Sequence, residues 1–138
     1  MDLIDDKLDG FLSHLGDRQR STFAYVFRTW REGGGTLADV GKTIALQTPW
    51  EGRNVTVLWA YSADGQSRPP RFEAPLAALA RSGIPTELTE AWRDDLTTVS
   101  GVGTTVEGPN ATAPVSDGFG DLDARKLVES ALKLSRRI

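Results

Sequence analysis

The stretch Lys42 to Tyr61, KTIALQTPWEGRNVTVLWAY, constrains the fold more than any other, because it reads as two strands joined by a tight turn. Ile44, Leu46, Thr48 and Trp50 alternate with Thr43, Ala45, Gln47 and Pro49 in the first arm. In the second, Val55, Val57, Trp59 and Tyr61 alternate with Thr56, Leu58 and Ala60. Period-two alternation of β-branched and aromatic residues marks a half-buried strand. Glu51-Gly52-Arg53-Asn54 closes the pair, either as a two-residue Gly52-Arg53 turn or as a four-residue loop. Both closures predict the same register: Trp50 opposite Val55, Thr48 opposite Val57, Leu46 opposite Trp59 and Ile44 opposite Tyr61. Trp59 and Tyr61 then face the core, and a one-residue slip would turn one arm's apolar set to water. Pro49 lacks an N–H and belongs where the ladder needs no donor.

Helical patterns flank this hairpin. Ile4, Leu8, Phe11, Leu12 and Leu15 recur at helical spacing from Leu3 to Leu15, and Phe23, Val26, Phe27 and Trp30 form a stripe from Arg18 to Glu32. Gly33-Gly34-Gly35 stops the second helix. Thr36 to Val40 reads as a short strand leading into the hairpin. Beyond Tyr61, Pro69-Pro70 is extended, Phe72 to Ser82 reads as a short helix begun near Pro75, and Thr86 is placed to cap a helix carrying Leu88, Trp92 and Leu96. Thr97 to Gly120 lacks helical periodicity and is rich in glycine. It reads either as an added edge hairpin about Gly108-Pro109-Asn110 or as a mobile segment. Leu122 to Ile138 forms a closing helix on Leu127, Val128, Ala131 and Leu132. The fold class expected is α+β, one domain over residues 1–138, with an antiparallel sheet built around the hairpin (about 43–61) and packed on amphipathic helices from both ends of the chain.

Composition removes several chemistries. The chain has no cysteine, which excludes disulfides, thiolate catalysis and cysteine-ligated metal sites. Its net charge is −3 with both signs interspersed, so no global field attracts nucleic acid, and such binding needs a local patch. The acidic start MDLIDDKLDGF is unlike a signal peptide, and no apolar run has the length of a membrane span, so a cytoplasmic protein without membrane contact is expected.

Gly33-Gly34-Gly35 followed by Gly41-Lys42-Thr43 has the residues of a phosphate-binding P-loop but not its spacing. Thr36 stands where the first glycine is needed, and the segment follows a helix and opens a strand, the reverse of a P-loop. His14 is the single histidine and has no nucleophile with recognisable flanks near it. Glu90, Asp94 and Asp95, and separately Asp117, Asp121 and Asp123, are carboxylate groups able in principle to hold a hard cation, yet helix-start and solvated-face roles account for them. No catalytic residue, metal ligand or cofactor is therefore assigned.

The binding residues singled out are arginines and one tryptophan. Arg20, Arg28 and Arg31 follow one another at helical spacing, away from the Phe23 to Trp30 stripe. Arg53 lies at the hairpin tip, and Arg68 and Arg71 flank Pro69-Pro70. A planar guanidinium suits bidentate contacts to phosphate, so together these form one candidate phosphate-binding face. Among the four tryptophans, Trp30, Trp59 and Trp92 are assigned to the core, and Trp50, beside Pro49 and the turn, to a partner contact.

The order helix, W-x-x-G-G, short strand, Gly-Lys-Thr strand, second strand ending in W-x-Y, then F-x-x-P-L-x-x-L-x-x-x-G-I-P and a closing helix resembles small bacterial α+β domains, some of which occur beside restriction or DNA-repair modules. The resemblance runs from Gln19 onward and rests on Trp30, Gly34, Gly41, Leu76, Gly83 and Pro85. It implies a role linked to nucleic acid or defence. The expected function is a non-enzymatic binding or accessory module, with nucleic acid or another protein as partner. A homo-oligomeric adaptor pairing through an edge strand or the segment near Thr104 to Val115 is the alternative, and a carboxylate-metal hydrolase the third.

Overall fold

The computed structural model describes residues 3–40, 43–62, 70–99, 105–107, 109–115 and 119–138. Among the described residues the elements run α1 (Leu3–Leu12), α2 (Asp17–Glu32), β1 (Thr36–Val40), β2 (Thr43–Trp50), β3 (Arg53–Tyr61), β4 (Arg71–Ala74), α3 (Leu76–Arg81), α4 (Thr86–Thr98), β5 (Thr105–Glu107), β6 (Asn110–Pro114) and α5 (Asp121–Arg137). The strands form one antiparallel sheet in the order β1-β2-β3-β4-β6-β5. This is the expected α+β architecture. The edge-hairpin reading of the glycine-rich segment holds for its described part, which supplies β5 and β6, with β6 paired to β4.

The central hairpin exists but closes differently from the expected register. Trp50 pairs with Arg53 and Thr48 with Val55, so the turn residues are Glu51 and Gly52 rather than Gly52 and Arg53. Both have positive φ, 49° and 79°, the requirement of a type I′ turn, whose twist matches that of the flanking strands. A second correction follows higher in the ladder. Thr56 pairs with Gln47, but Leu58 pairs with the adjacent Leu46, so Val57 is an extra residue, a β-bulge. The bulge brings Val57, Leu58 and Ala60 into the core and turns Trp59 and Tyr61 to the opposite face. Trp59 is therefore not a core residue, whereas Trp30 and Trp92 are. Pro49 pairs with Asn54 beyond the start of β1, where the ladder needs no donor from it.

Phe72 lies on a strand, not at the head of a helix. Pro75 disfavours the helical region for the residue before it, so Arg71-Phe72-Glu73-Ala74 stays extended and the helix begins at Leu76. Phe72 pairs with Ala60 and Ala113 and stacks on Phe23 of α2, ring centroids 4.6 Å apart. Phe11, Phe23 and Phe27 extend this aromatic cluster, and Thr48 meets Ser135 of α5 at 2.8 Å. Trp30 donates to the Thr36 carbonyl at 2.8 Å, and Trp50 to that of Ser82 at 3.1 Å. These contacts gather the helices on the sheet face that carries Phe72.

The triple glycine joins helix layer to sheet. The Gly34 N–H donates to Arg31 and that of Gly35 to Trp30, with Gly34 at φ 99°, which is a Schellman end to α2. A Cβ at Gly33 would overlap Leu132 of α5, and one at Gly35 would overlap the Trp30 indole. Gly35→Ala should therefore destabilise by about 1–3 kcal/mol through overpacking. Urea denaturation checks this, with Gly10→Ala in α1, where an added Cβ meets nothing and a better helix former should if anything stabilise, as the control of opposite sign.

Candidate functional site

The sheet face opposite the helices is built from two cross-strand rows. One runs Ala38, Ala45, Trp59, Glu73 and Thr112 across β1, β2, β3, β4 and β6. The next runs Val40, Thr43, Tyr61, Arg71 and Pro114. Side chains two residues apart on a strand share a face, so Trp59 and Tyr61 stand side by side, as do Arg71 and Glu73. Thr43, Trp59, Tyr61, Glu73, Thr112 and Pro114 are half-buried, whereas Ala45 and Arg71 between them are buried, at 0% and 4% exposed.

The centre of the face is held by its own contacts. The Arg71 guanidinium lies over the Tyr61 ring at 4.2 Å from its centroid and pairs with Glu73 at 3.6 Å. Thr112 donates to the second Glu73 oxygen at 3.4 Å. At the lower end of the face, Gln47 donates to the Thr56 hydroxyl at 3.3 Å. The Arg71 side chain is 5% exposed and that of Glu73 18%, so the one ion pair here is already largely withdrawn from water. These are the charged residues of the two rows, and they cancel. What remains is an uncharged aromatic and hydroxyl surface.

The arginines singled out in the sequence do not share one face. Arg20 donates to the carbonyls of Leu12 and Leu15 and pairs with Asp17, tying the turn between α1 and α2. Arg31 pairs with Asp5 of α1 at 2.7 Å, and Arg28 lies 5.9 Å from the centroid of Tyr25 on its own helix. Arg53 and Trp50 both donate to the Ser82 carbonyl at the end of α3, so the hairpin tip is clamped to the helix layer. Arg71 lies on the other side of the sheet from α2. Arg68, Asp117 and the Gly41-Lys42 pair lie outside the described residues.

The carboxylates are dispersed. Asp95 pairs with Lys133, Asp123 accepts from the Gly120 N–H at the start of α5, and Asp94 and Asp121 are exposed. Among the described residues no group of three or more histidines, cysteines, aspartates or glutamates is placed to hold a metal ion. Also among them, no helix is long and apolar enough to cross a membrane. His14 is exposed in the turn after α1.

Trp59, Tyr61 and Glu73 are the site residues that sequence reasoning missed. Strict alternation assigns the two aromatics inward, and the signal that argues otherwise is the apolar pair Leu58 and Ala60, which fits the core equally well once one residue is bulged. Comparison of the chain with protein-family models, with curated proteins and with solved structures finds no match.

The placement of the tryptophans makes a stability difference measurable. Trp30→Ala should cost about 3–5 kcal/mol, the range for a large buried aromatic, and Trp59→Ala clearly less, about 2 kcal/mol or below. Equal losses in urea denaturation would put Trp59 back in the core.

Proposed function

We propose that the protein is a non-enzymatic binding module whose partner is another protein and whose working surface is the sheet face that carries Trp59 and Tyr61. The observation that carries this reading is the adjacent position of Trp59 and Tyr61 on that face, beside an Arg71–Glu73 pair that leaves it without net charge. Aromatic side chains supply large contact area with few rotatable bonds, and the centres of protein interfaces are enriched in them and poor in unpaired charge. Nucleic acid fits this surface less well. Its binding is driven by cations that face the phosphates, and Arg71 is covered and paired. The α2 arginines offer no better platform, because Arg20 and Arg31 already hold carboxylates of their own chain.

The test compares two surfaces. Immobilised protein carrying Trp59→Ser with Tyr61→Ser should lose a protein partner from native extract that both the unaltered chain and an Arg28→Glu, Arg31→Glu chain retain. Retention by the sheet variant with loss by the helix variant would move the working surface to α2 and sink the proposal. So would saturable binding of labelled DNA or RNA that weakens steeply with salt and depends on the arginines.

A further inference from the structure

We infer that α1 is a displaceable strap: it occupies a groove on α2 that suits an acidic amphipathic helix, and a helix of that chemistry from a partner protein takes its place. The groove lies on the other side of the sheet from Trp59 and Tyr61, so the inference stands apart from the reading of that face.

α1 has little to hold it in a helix by itself. It is 10 residues long with Gly10 inside it, and isolated helices below about 12–15 residues are marginal in water. A Cβ at Gly10 would meet nothing, so this glycine loosens the helix without serving its packing. The helix therefore depends on its seat. Near the turn that seat is good, because the Phe11 ring meets Phe23 and Phe27 edge-on with centroids 5.4 and 5.6 Å away. Further out the two helices part. A cavity of about 410 Å³ lies between them, lined by Leu8, Leu12, Ala24 and Phe27, with Asp5 and Arg31 paired at 2.7 Å on its margin. That pair and Lys7–Asp39 at 4.0 Å are both partly exposed, so water competes for each.

α2 does not need α1 to stay on the sheet. Phe23 stacks on Phe72 at 4.6 Å, Trp30 donates to Thr36, and Gly33 lies against Leu132 of α5. The strap can thus lift while the rest stays folded, as the opening of one low-stability unit. What it uncovers has a definite chemistry. Phe27, 2% exposed in the closed chain, and half-buried Ala24 form an apolar strip. Along it Arg31 gives up Asp5, Arg20 gives up the Leu12 carbonyl, and Arg28 is already exposed. Such a strip fits a helix with apolar residues at helical spacing and acids beside them. α1 is a helix of this kind: Leu8, Phe11 and Leu12 meet α2, and Asp5, Asp6 and Asp9 accompany them. The present occupant therefore identifies the chemistry of the one that replaces it.

Hydrogen exchange on the unaltered chain and binding of a labelled peptide of residues 3–15 are the tests. The amides of Lys7 to Leu12 should open together, with a common protection about tenfold or more below that of α2 and α5. The peptide should bind saturably to a Phe11→Ser chain, and about tenfold or more weakly to the unaltered chain, whose own strap competes with it. A peptide carrying Asp5→Lys and Asp9→Lys should lose that binding. Protection of α1 equal to that of α2 and α5, or graded along α1 as in fraying, overturns the strap. A Phe11→Ser chain that fails to fold overturns it too, since α1 is then inseparable from the rest. No binding to a Phe11→Ser chain whose α2 and sheet amides stay protected overturns the groove, and binding indifferent to the peptide's aspartates overturns the acidic partner. Both measurements leave Trp59 and Tyr61 untouched, so their failure does not bear on the sheet face.

Discussion

One extra residue in β3 decides which residues each side of the sheet presents. Because Thr56 pairs with Gln47 and Leu58 with Leu46, Val57 has no opposite number, and every later residue of the strand is turned over relative to strict alternation. Leu58 and Ala60 enter the core, and Trp59 and Tyr61 leave it. Packing explains why this register is preferred. Ala60 lies opposite Phe72, whose ring stacks on Phe23 at 4.6 Å, so the space above Ala60 is already taken by an aromatic pair. Tyr61 in its place would force that pair apart, a strain that interiors packed at crystal density do not absorb cheaply. The bulge is thus the least costly way to give Phe72 a small neighbour.

A second constraint fixes how the helix layer meets the sheet. The chain must pass from α2 to the edge strand β1 within three residues, and each glycine of that corner answers a different demand. Gly33 leaves room for Leu132, Gly34 takes the positive φ, and Gly35 passes beneath the Trp30 indole. Trp30 in turn donates to Thr36, the first residue of β1, so a fully buried side chain of α2 holds the strand it leads into. The surface ion pairs act on the same layer more weakly. Arg31 with Asp5 and Lys7 with Asp39 orient α1, but exposed pairs of this kind are worth about 0–1 kcal/mol each. Stability resides in the Phe11, Phe23, Phe27 and Phe72 cluster and the corner, and the charged outer surface tunes it.

The parts of this fold legible in the sequence are those governed by local physics. The stripe of Phe23, Val26, Phe27 and Trp30 repeats at helical spacing, the glycines stop the helix, and the apolar alternation of the hairpin marks two strands whatever their register. The parts that were not legible depend on contacts made far along the chain. A Gly52-Arg53 turn satisfies strand twist as well as the observed Glu51-Gly52 turn does, and the choice between them rests on the ladder beyond the turn, where Thr48 meets Val55. The four residues of β4 are too few to show a period, and only Ala60 and Ala113 on either side make Phe72 a strand residue. The same blindness hid the site. Trp59 and Tyr61 look like core on alternation, and the arginines look like one face until the sheet separates Arg71 from α2.

The contacts on the open face bear on whether its aromatics are an accident of the bulge. A sheet that merely had to tolerate solvent would be served by threonine and lysine, as open faces and edges commonly are. Here half-buried Tyr61 is braced instead: the Arg71 guanidinium lies over its ring, Glu73 fixes Arg71, and Thr112 fixes Glu73 from the next strand. Each link is weak where water competes, yet the chain of them limits the rotamers of Tyr61 and keeps the ion pair withdrawn before any partner arrives. On the proposed reading, a partner would find less side-chain entropy to remove and fewer polar groups to dehydrate there. The register of β3 and the Arg71, Glu73 and Thr112 ladder therefore act together: the bulge sets Tyr61 on this side of the sheet, and the ladder holds it there.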